Sequence, residues 1–444
     1  MPGKILVLGA GRSSTSLIDY LLKFSESEDW TLRIGDGRVE EASAHFAPSE
    51  RCGWFRLDAD DHAIISNEMA GADLVISMLP ASFHPMVAEQ CLQHGKHLIT
   101  PSYVSEAMKS MHEKAIAADL IFLNEMGLDP GIDHMSAMAI INEIKDRGGK
   151  IFSFESYTGG LVAPESDDNP WHYKISWNPR NVVLAGSGSP ARYLKGGRVR
   201  YIPYHRLFAE AASFDLGING RYEGYANRDS VKYREVYGLH EIDTLIRGTF
   251  RKGAFCRAWN VLVNLGLTDD TVEIPDASDM SWADLTAAFA GSESLGELYS
   301  VIREIPGVDD EVISMLEWLG IFGDEQPGIE NGTPAAALQK LIEKRWVLAP
   351  DDKDMIVMMH RFRYESGGKM FERISTLVDT GKDNLHTAMA RTVGLPVGVA
   401  ARLILNGKIQ DRGVILPVEE EIYRPVLEQL LPFGISFTES EREI

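Results

Sequence analysis

Cysteine is scarce in this chain. Only Cys52, Cys91 and Cys256 occur, spread over 444 positions. No pair has metal-ligand spacing and no set builds a disulfide framework, so a zinc module and a disulfide-stapled scaffold are both excluded, and a reducing cytosol fits. Basic charge is short as well: 44 Lys and Arg stand against 65 Asp and Glu, a net charge of −21. A field of that sign opposes nucleic acid and anionic membrane surfaces as partners, while leaving room for local basic pockets that take acidic small molecules. Apolar runs approaching a membrane span are not apparent, and the first residues enter a strand pattern with no leader-like segment, so the expectation is a cytoplasmic protein. Internal repeats and low-complexity tracts are missing too. What remains is an apolar content of 44 %, enough over this length for two or three domains with real cores.

The chain is organised around its first strand and turn, Lys4-Ile5-Leu6-Val7-Leu8-Gly9-Ala10-Gly11-Arg12-Ser13-Ser14. Lys4 to Leu8 has the composition of a strand buried on both faces. It runs into Gly9-x-Gly11, and an apolar helix pattern follows through Leu17, Ile18, Leu21 and Leu22. Strand, glycine turn and helix start are the parts that hold a pyrophosphate: the turn lets the backbone approach closely, and the helix N-terminus offers free N–H groups. Ser14 stands where the third glycine of the fingerprint belongs.

Five more strand patterns follow, at Thr31–Ile34, Gly53–Leu57, 73–80, His97–Thr100 and Leu120–Asn124, alternating with amphipathic helices. That alternation predicts an α/β fold, a doubly wound parallel sheet of the Rossmann type. Asp36, just past the second strand, is the residue type that bonds the adenine ribose hydroxyls of NAD, whereas Arg38 two residues on would suit the 2′-phosphate of NADP. Asp36 tips the expectation toward NAD. Asp58 ends the third strand near the expected adenine, and Leu79-Pro80 ends the fourth where the strand order should reverse. After the sixth strand, Asp129 before Pro130 reads as a helix N-cap with proline in the first turn, the helix running to about Arg147. Asp129, Asp133 and His134 then cluster past a strand end, where catalytic groups gather.

Beyond Gly149 the pattern becomes α+β with a mixed sheet. Lys150 to Tyr157 alternates as a strand, and Gly159 to Glu165 reads as a loop. Trp171 to Asn178 mixes aromatic and polar groups, as a substrate wall or a domain core would. Residues 268–348 turn helical, 353–364 and 371–380 look like paired strands, and Thr392 to Pro396 precedes an apolar helix. The expected organisation is a dinucleotide-binding domain at 1–130 joined by 390–444, a substrate-binding and dimerisation domain at 131–267 and 349–389, and a helical insert at 268–348.

These motifs resemble the saccharopine dehydrogenase (saccharopine reductase) family in its glutamate-forming branch, nearly end to end. The resemblance rests on Asn124-Glu-Met-Gly-Leu-Asp-Pro-Gly-Ile-Asp-His134, Glu155-Ser-Tyr-Thr-Gly-Gly160, the run Tyr173-Lys-Ile-Ser-Trp177, Asn227-Arg-Asp-Ser230, Arg247-Gly-Thr-Phe-Arg251 and Thr392-Val-Gly-Leu-Pro396. It implies an NAD- or NADP-dependent oxidoreductase acting on a C–N bond. Saccharopine would be converted through an imine to glutamate and 2-aminoadipate 6-semialdehyde, in lysine metabolism, by a homodimer. It also implies site residues. Beside Gly9 of the turn already described, Ala10, Gly11, Arg12, Ser13, Leu79, Pro101, Ser102, Leu128, Asp129, Pro130 and Asn178 would, by the resemblance, line the cofactor. Ser102, Tyr103, Asp129, Arg228, Thr249, Phe250 and Arg251 would hold the substrate, with Tyr103 and Asp129 positioning it and moving protons. Thr158 departs from the family, which usually carries Cys there, and a hydroxyl cannot copy a thiol's acid–base range.

A carboxynorspermidine-type dehydrogenase, acting on a related secondary amine, is the close alternative. Its substrate would call for an acidic residue where Arg228 and Arg251 stand, and both arginines are present. A non-catalytic dinucleotide-sensing protein is the alternative from another class, and retention of the substrate-side motifs argues against it.

Overall fold

The computed structural model describes residues 3–275 and 277–444, which divide into two compact units. The first comprises 1–148 and 381–437. Its core is a parallel sheet of β1 (Gly3–Leu8), β2 (Trp30–Asp36), β3 (Cys52–Arg56), β4 (Leu74–Ser77), β5 (His97–Ile99) and β6 (Ile121–Leu123). A seventh strand, Gly413–Ile415, pairs in parallel with β6 and extends the expected six. The order is Gly413–Ile415, β6, β5, β4, β1, β2, β3, so the chain winds one way from β1 to β3 and the other from β4 to β6. The reversal falls between β1 and β4, where such sheets bind their ligands. The short strands are apolar throughout because helices cover both faces; Leu6, Val7, Leu8, Ile76 and Leu123 are all fully buried.

Four expectations change in this unit. The helix expected from Pro130 begins at Ile132, with Gly131 as its N-cap, after a cis Asp129–Pro130 peptide, and it runs to Asp146. Asp133 supplies the cap-like contact instead, its Oδ1 accepting from the Gly131 N–H at 2.7 Å. This helix packs on the helix Glu420–Leu430, with Asn142 Nδ2 donating to the Tyr423 hydroxyl at 2.9 Å. It therefore belongs to the first unit, and the boundary falls at Gly148, not 130. The helix expected after Pro396 instead spans Ala388–Leu405 with the proline inside it, capped by Thr387, whose Oγ1 accepts from the Ala390 N–H. By length and composition this helix is apolar enough to cross a membrane, contrary to the expectation of no such run. Here 72 % of it is buried inside the protein, and it packs against the helix Thr15–Phe24.

The second unit, 149–380 with 438–444, is built on a nine-stranded mixed sheet. Its strands are β7 (Lys150–Val162), β8 (Ala191–Lys195), β9 (Arg198–Ile202), β10 (Ala212–Asp215), β11 (Arg221–Ala226), β12 (Thr244–Arg251), β13 (Asp354–Ser366), β14 (Lys369–Thr380) and the terminal Phe437–Glu443. β12 runs parallel to β7, while β13 and β14 form the expected antiparallel hairpin. β7 continues through the segment expected as a loop, because β13 pairs with it over its whole length, Gly159 opposite Val357 and Leu161 opposite Met355. The helices between 282 and 345 do not form a separate body. Trp346 at their end packs 5.3 Å from Trp171, and the Trp171 indole donates to the Met315 carbonyl at 2.8 Å. Trp171 and Tyr173 are thus core residues, and the helical region shares one hydrophobic core with the sheet.

Candidate active site

The glycine turn is built as a pyrophosphate cradle. Gly9 sits at φ 97°, and a side chain there would stand 3.1 Å from the Met78 backbone. Gly11 is different: a Cβ there would meet nothing within 4 Å, so the backbone faces open space and a ligand can approach it. The helix Thr15–Phe24 starts at Ser14 with no side chain capping its N–H groups, which leaves donors for ligand oxygens. Ala10, Arg12 and Ser13 occupy the turn itself, Arg12 exposed and Ser13 half-buried. The residues present therefore fit a dinucleotide.

Asp36 is tied into this turn. Its Oδ2 accepts from the Ala10 N–H and its Oδ1 from the Arg38 N–H, both at 2.8 Å. It lines a cavity of about 430 Å³ together with Gly9, Asp58 and Leu79. Arg56 lines the same cavity, directly opposite Asp36 in the β2–β3 register. No motif marks Arg56 in the sequence; only strand pairing brings it here. Arg38 and Arg56 are loosely held, 3.4 Å from Glu41 and 4.0 Å from Glu40, with side chains 79 % and 76 % exposed.

At the ends of β5 and β6 the chain places Pro101, Ser102 and Tyr103 beside Leu128, Asp129 and Pro130. The Tyr103 hydroxyl donates to Asp129 Oδ1 at 2.7 Å. The helix starts later than expected, at Ile132, and Asp129 bonds the tyrosine from the segment before it. Behind Ser102 lies His84, which the sequence does not mark as functional. Its Nε2 is 2.9 Å from Ser102 Oγ and its Nδ1 3.0 Å from Ser77 Oγ. Burial pushes the His84 pKa down to about 4, so the ring is neutral at ordinary pH and one nitrogen donates while the other accepts. Asp133 and His134 are buried with Glu125, His134 Nε2 lying 2.8 Å from Glu125 Oε2.

The second unit, taken by itself, holds the other residues expected to bind a ligand. Arg251 is 3 % exposed, packed over Tyr173, Tyr225 and Phe255 at 5.1–5.8 Å. Its Nη1 donates to the Phe250 carbonyl at 2.9 Å, its Nε has no partner, and no carboxylate among the described residues pairs with it. A buried guanidinium without an anion is costly unless a ligand supplies one. Arg228 is exposed and held at φ 39°, its carbonyl accepting from the Arg192 N–H at 2.7 Å. Positive φ in a non-glycine residue is strain of the kind that gathers at binding sites. Thr249 is half-buried on β12 beside Thr158 of β7, whose buried hydroxyl has no partner. The Phe250 ring faces the other way, fully buried and stacked 5.2 Å from Tyr157, so it serves the core. Asn178 is exposed, and its side-chain oxygen caps a short helix by accepting from the Arg180 N–H at 2.9 Å.

A dinucleotide cradle with a tyrosine–aspartate pair at neighbouring strand ends defines a nicotinamide-dinucleotide oxidoreductase. The model of the saccharopine dehydrogenase NADP-binding domain matches residues 5–123, and that of the saccharopine dehydrogenase C-terminal domain matches residues 127–435. The chain belongs to the saccharopine dehydrogenase family. It is 34 % identical to saccharopine dehydrogenase [NADP(+), L-glutamate-forming] of Schizosaccharomyces pombe, over 98 % of both chains. It is 36 % identical to the mitochondrial alpha-aminoadipic semialdehyde synthase of Bos taurus, over 98 % of this chain and 47 % of that one. Apo saccharopine dehydrogenase (L-Glu forming) from Saccharomyces cerevisiae superposes with a TM-score of 0.88 at 32 % identity, covering 99 % of this chain and all of that one.

Proposed function

We propose that the protein oxidises saccharopine to glutamate and 2-aminoadipate 6-semialdehyde, and runs the reverse condensation. The bound dinucleotide would supply the hydride acceptor for the carbon that bears the secondary amine. The chain's own residues do the rest. Tyr103 donates its proton to Asp129, which leaves the phenol oxygen's lone pairs facing outward to accept a proton from the substrate nitrogen. The same pair then steers water onto the C=N bond, and proton return to nitrogen releases glutamate. Ser102, oriented by neutral His84, positions the reacting end. Arg251 supplies a fixed guanidinium for one substrate carboxylate and Arg228 a second.

The observation that carries this reading is the end-to-end likeness to the L-glutamate-forming enzymes, with Tyr103 and Asp129 hydrogen-bonded at strand ends. NADP is the proposed cofactor. The Schizosaccharomyces pombe relative is named for NADP(+), and Arg56 lines the cavity opposite Asp36, a second cation besides Arg38 that the linear sequence does not bring near Asp36. The test is steady-state turnover of saccharopine with each dinucleotide, product glutamate being measured against reduced cofactor. One-to-one stoichiometry supports the proposal. Turnover of carboxynorspermidine alone would overturn it.

A further inference from the structure

We infer that Glu125 is a positioning residue for Tyr103 and Asp129, working with His134 as a buried clamp; this rests on the reading that Tyr103 and Asp129 move the protons. Glu125 follows β6 and is 2 % exposed, at φ 54°, a region that side-chain-bearing residues rarely adopt. Its backbone N–H donates to the Ser102 carbonyl at 3.1 Å. Its Oε1 accepts from the Val104 N–H at 3.0 Å. The residues on both sides of Tyr103 are therefore bonded to Glu125, which fixes the direction in which the tyrosine leaves the backbone.

The other half of the clamp fixes Asp129. Glu125 Oε2 lies 2.8 Å from His134 Nε2, and His134 is fully buried in the first turn of the helix Ile132–Asp146. His134 Nδ1 lies 3.7 Å from Asp133 Oδ2, and Asp133 Oδ1 accepts from the Gly131 N–H, two residues beyond Asp129. One buried cluster thus holds the segment before Asp129 and the segment after it, as well as the backbone around Tyr103. Polar and ionisable groups taken out of water at this depth are seldom more stabilising than an apolar core of the same volume. Their use here is geometric: they hold a tyrosine and an aspartate, 26 positions apart in sequence, at hydrogen-bond distance. Such a supporting shell is what a proton-transfer pair requires.

The test places Glu125→Ala and Glu125→Gln in the full-length protein, each alone and with Tyr103→Phe. Gln keeps an acceptor for Val104 and a group that can bond His134, so it is the conservative rescue. Glu125→Ala should lower kcat by at least about tenfold, since small misplacements near reacting atoms are expensive. The KM for saccharopine and the dinucleotide Kd should stay within about threefold, and Glu125→Gln should recover most of the rate. With Tyr103→Phe already present, Glu125→Ala should cost less than about twofold more, because residues acting as a unit are not additive. If Glu125→Ala does not fold, Glu125→Asp, one methylene short of Val104, takes its place with the same expectations.

A second readout needs no substrate. In protein labelled with 3-fluorotyrosine, the Tyr103 fluorine resonance, assigned by its loss in Tyr103→Phe, should shift in Glu125→Ala and return in Glu125→Gln. An unchanged kcat in folded Glu125→Ala, an equal loss in both backgrounds, or an unmoved resonance would each overturn the clamp. If the wild-type protein does not turn over saccharopine, the functional reading fails, and the fluorine resonance alone decides the clamp.

Discussion

Removing the Asp36 charge should raise the ratio of kcat/KM for NADP over NAD. The carboxylate sits in the cavity at the end of β2, held by the Ala10 and Arg38 N–H groups. A doubly charged 2′-phosphate at roughly 6 Å in a water-like dielectric would feel about 1.4 kcal/mol of repulsion, or about tenfold. Arg38 and Arg56 oppose it. Their side chains are largely exposed, so each contributes about 0.5–1 kcal/mol to a bound phosphate. Together they offer at most about 2 kcal/mol, or about thirtyfold. The opposing terms are close in size, so the proposed preference for NADP should be modest and easily tipped.

The assay is initial rates with saccharopine and each dinucleotide, at low salt and at high salt. Asp36→Asn, which keeps an acceptor for the turn, should raise the NADP/NAD ratio by about tenfold. Arg38→Ala with Arg56→Ala should lower it by about 5–30-fold and leave NAD use nearly intact. Both effects should shrink in high salt, where the Debye length falls to about 3 Å. An unchanged ratio in Asp36→Asn would mean that the carboxylate serves only the turn. Unchanged NADP use in the double-arginine variant would place the phosphate grip elsewhere and return the preference to Asp36.

How legible the site was depended on whether a residue's job is local. Gly9 and Gly11 act within one strand–turn–helix unit and Asp36 ends the adjacent parallel strand, so their spacing in the sequence is enough to predict that they meet at one turn, where Asp36 bonds the Ala10 N–H. Tyr103 and Asp129 lie on separate strand ends that the alternating α/β pattern predicts to be neighbours, and they are bonded. Arg56 and His84 escaped notice because strand register and tertiary packing, not motif, bring them to the site. The same physics explains the misplaced elements. Asp129-Pro130 has the composition of a helix start, yet the tyrosine takes the aspartate and the helix begins at Ile132. Pro396 signals a helix boundary locally, but the helix Ala388–Leu405 packs against Thr15–Phe24 and continues through it. Phe250 sits in sequence between Thr249 and Arg251, both expected to hold substrate, and strand alternation turns its ring to the opposite face, into the core.

Tyr103→Phe should lower kcat by about 10²-fold or more while leaving dinucleotide affinity unchanged, because it removes the proton path and nothing of the cradle; stopped-flow reduction of the cofactor measures it. Arg251→Met should raise the KM for saccharopine by more than about thirtyfold, since losing one side of a desolvated charge pair costs about 2–5 kcal/mol. A wild-type KM in Arg251→Met would mean that this guanidinium meets no substrate carboxylate. The last expectation concerns His84 and acid. Its folded pKa of about 4 lies below the ordinary value of 6.5, so between these values the unfolded chain binds a proton that the folded protein does not. Stability from this residue is therefore complete above about pH 6.5 and falls as the pH drops toward 4, by up to about 3 kcal/mol. His84→Gln keeps a donor and an acceptor for the two serines and cannot titrate. Urea unfolding at pH 7.5 and pH 5 should show a smaller acid-side loss in His84→Gln than in the wild-type protein. Equal losses in the two proteins would mean that His84 protonates without disturbing its contacts to Ser77 and Ser102, and its assigned role in orienting Ser102 would fall with it.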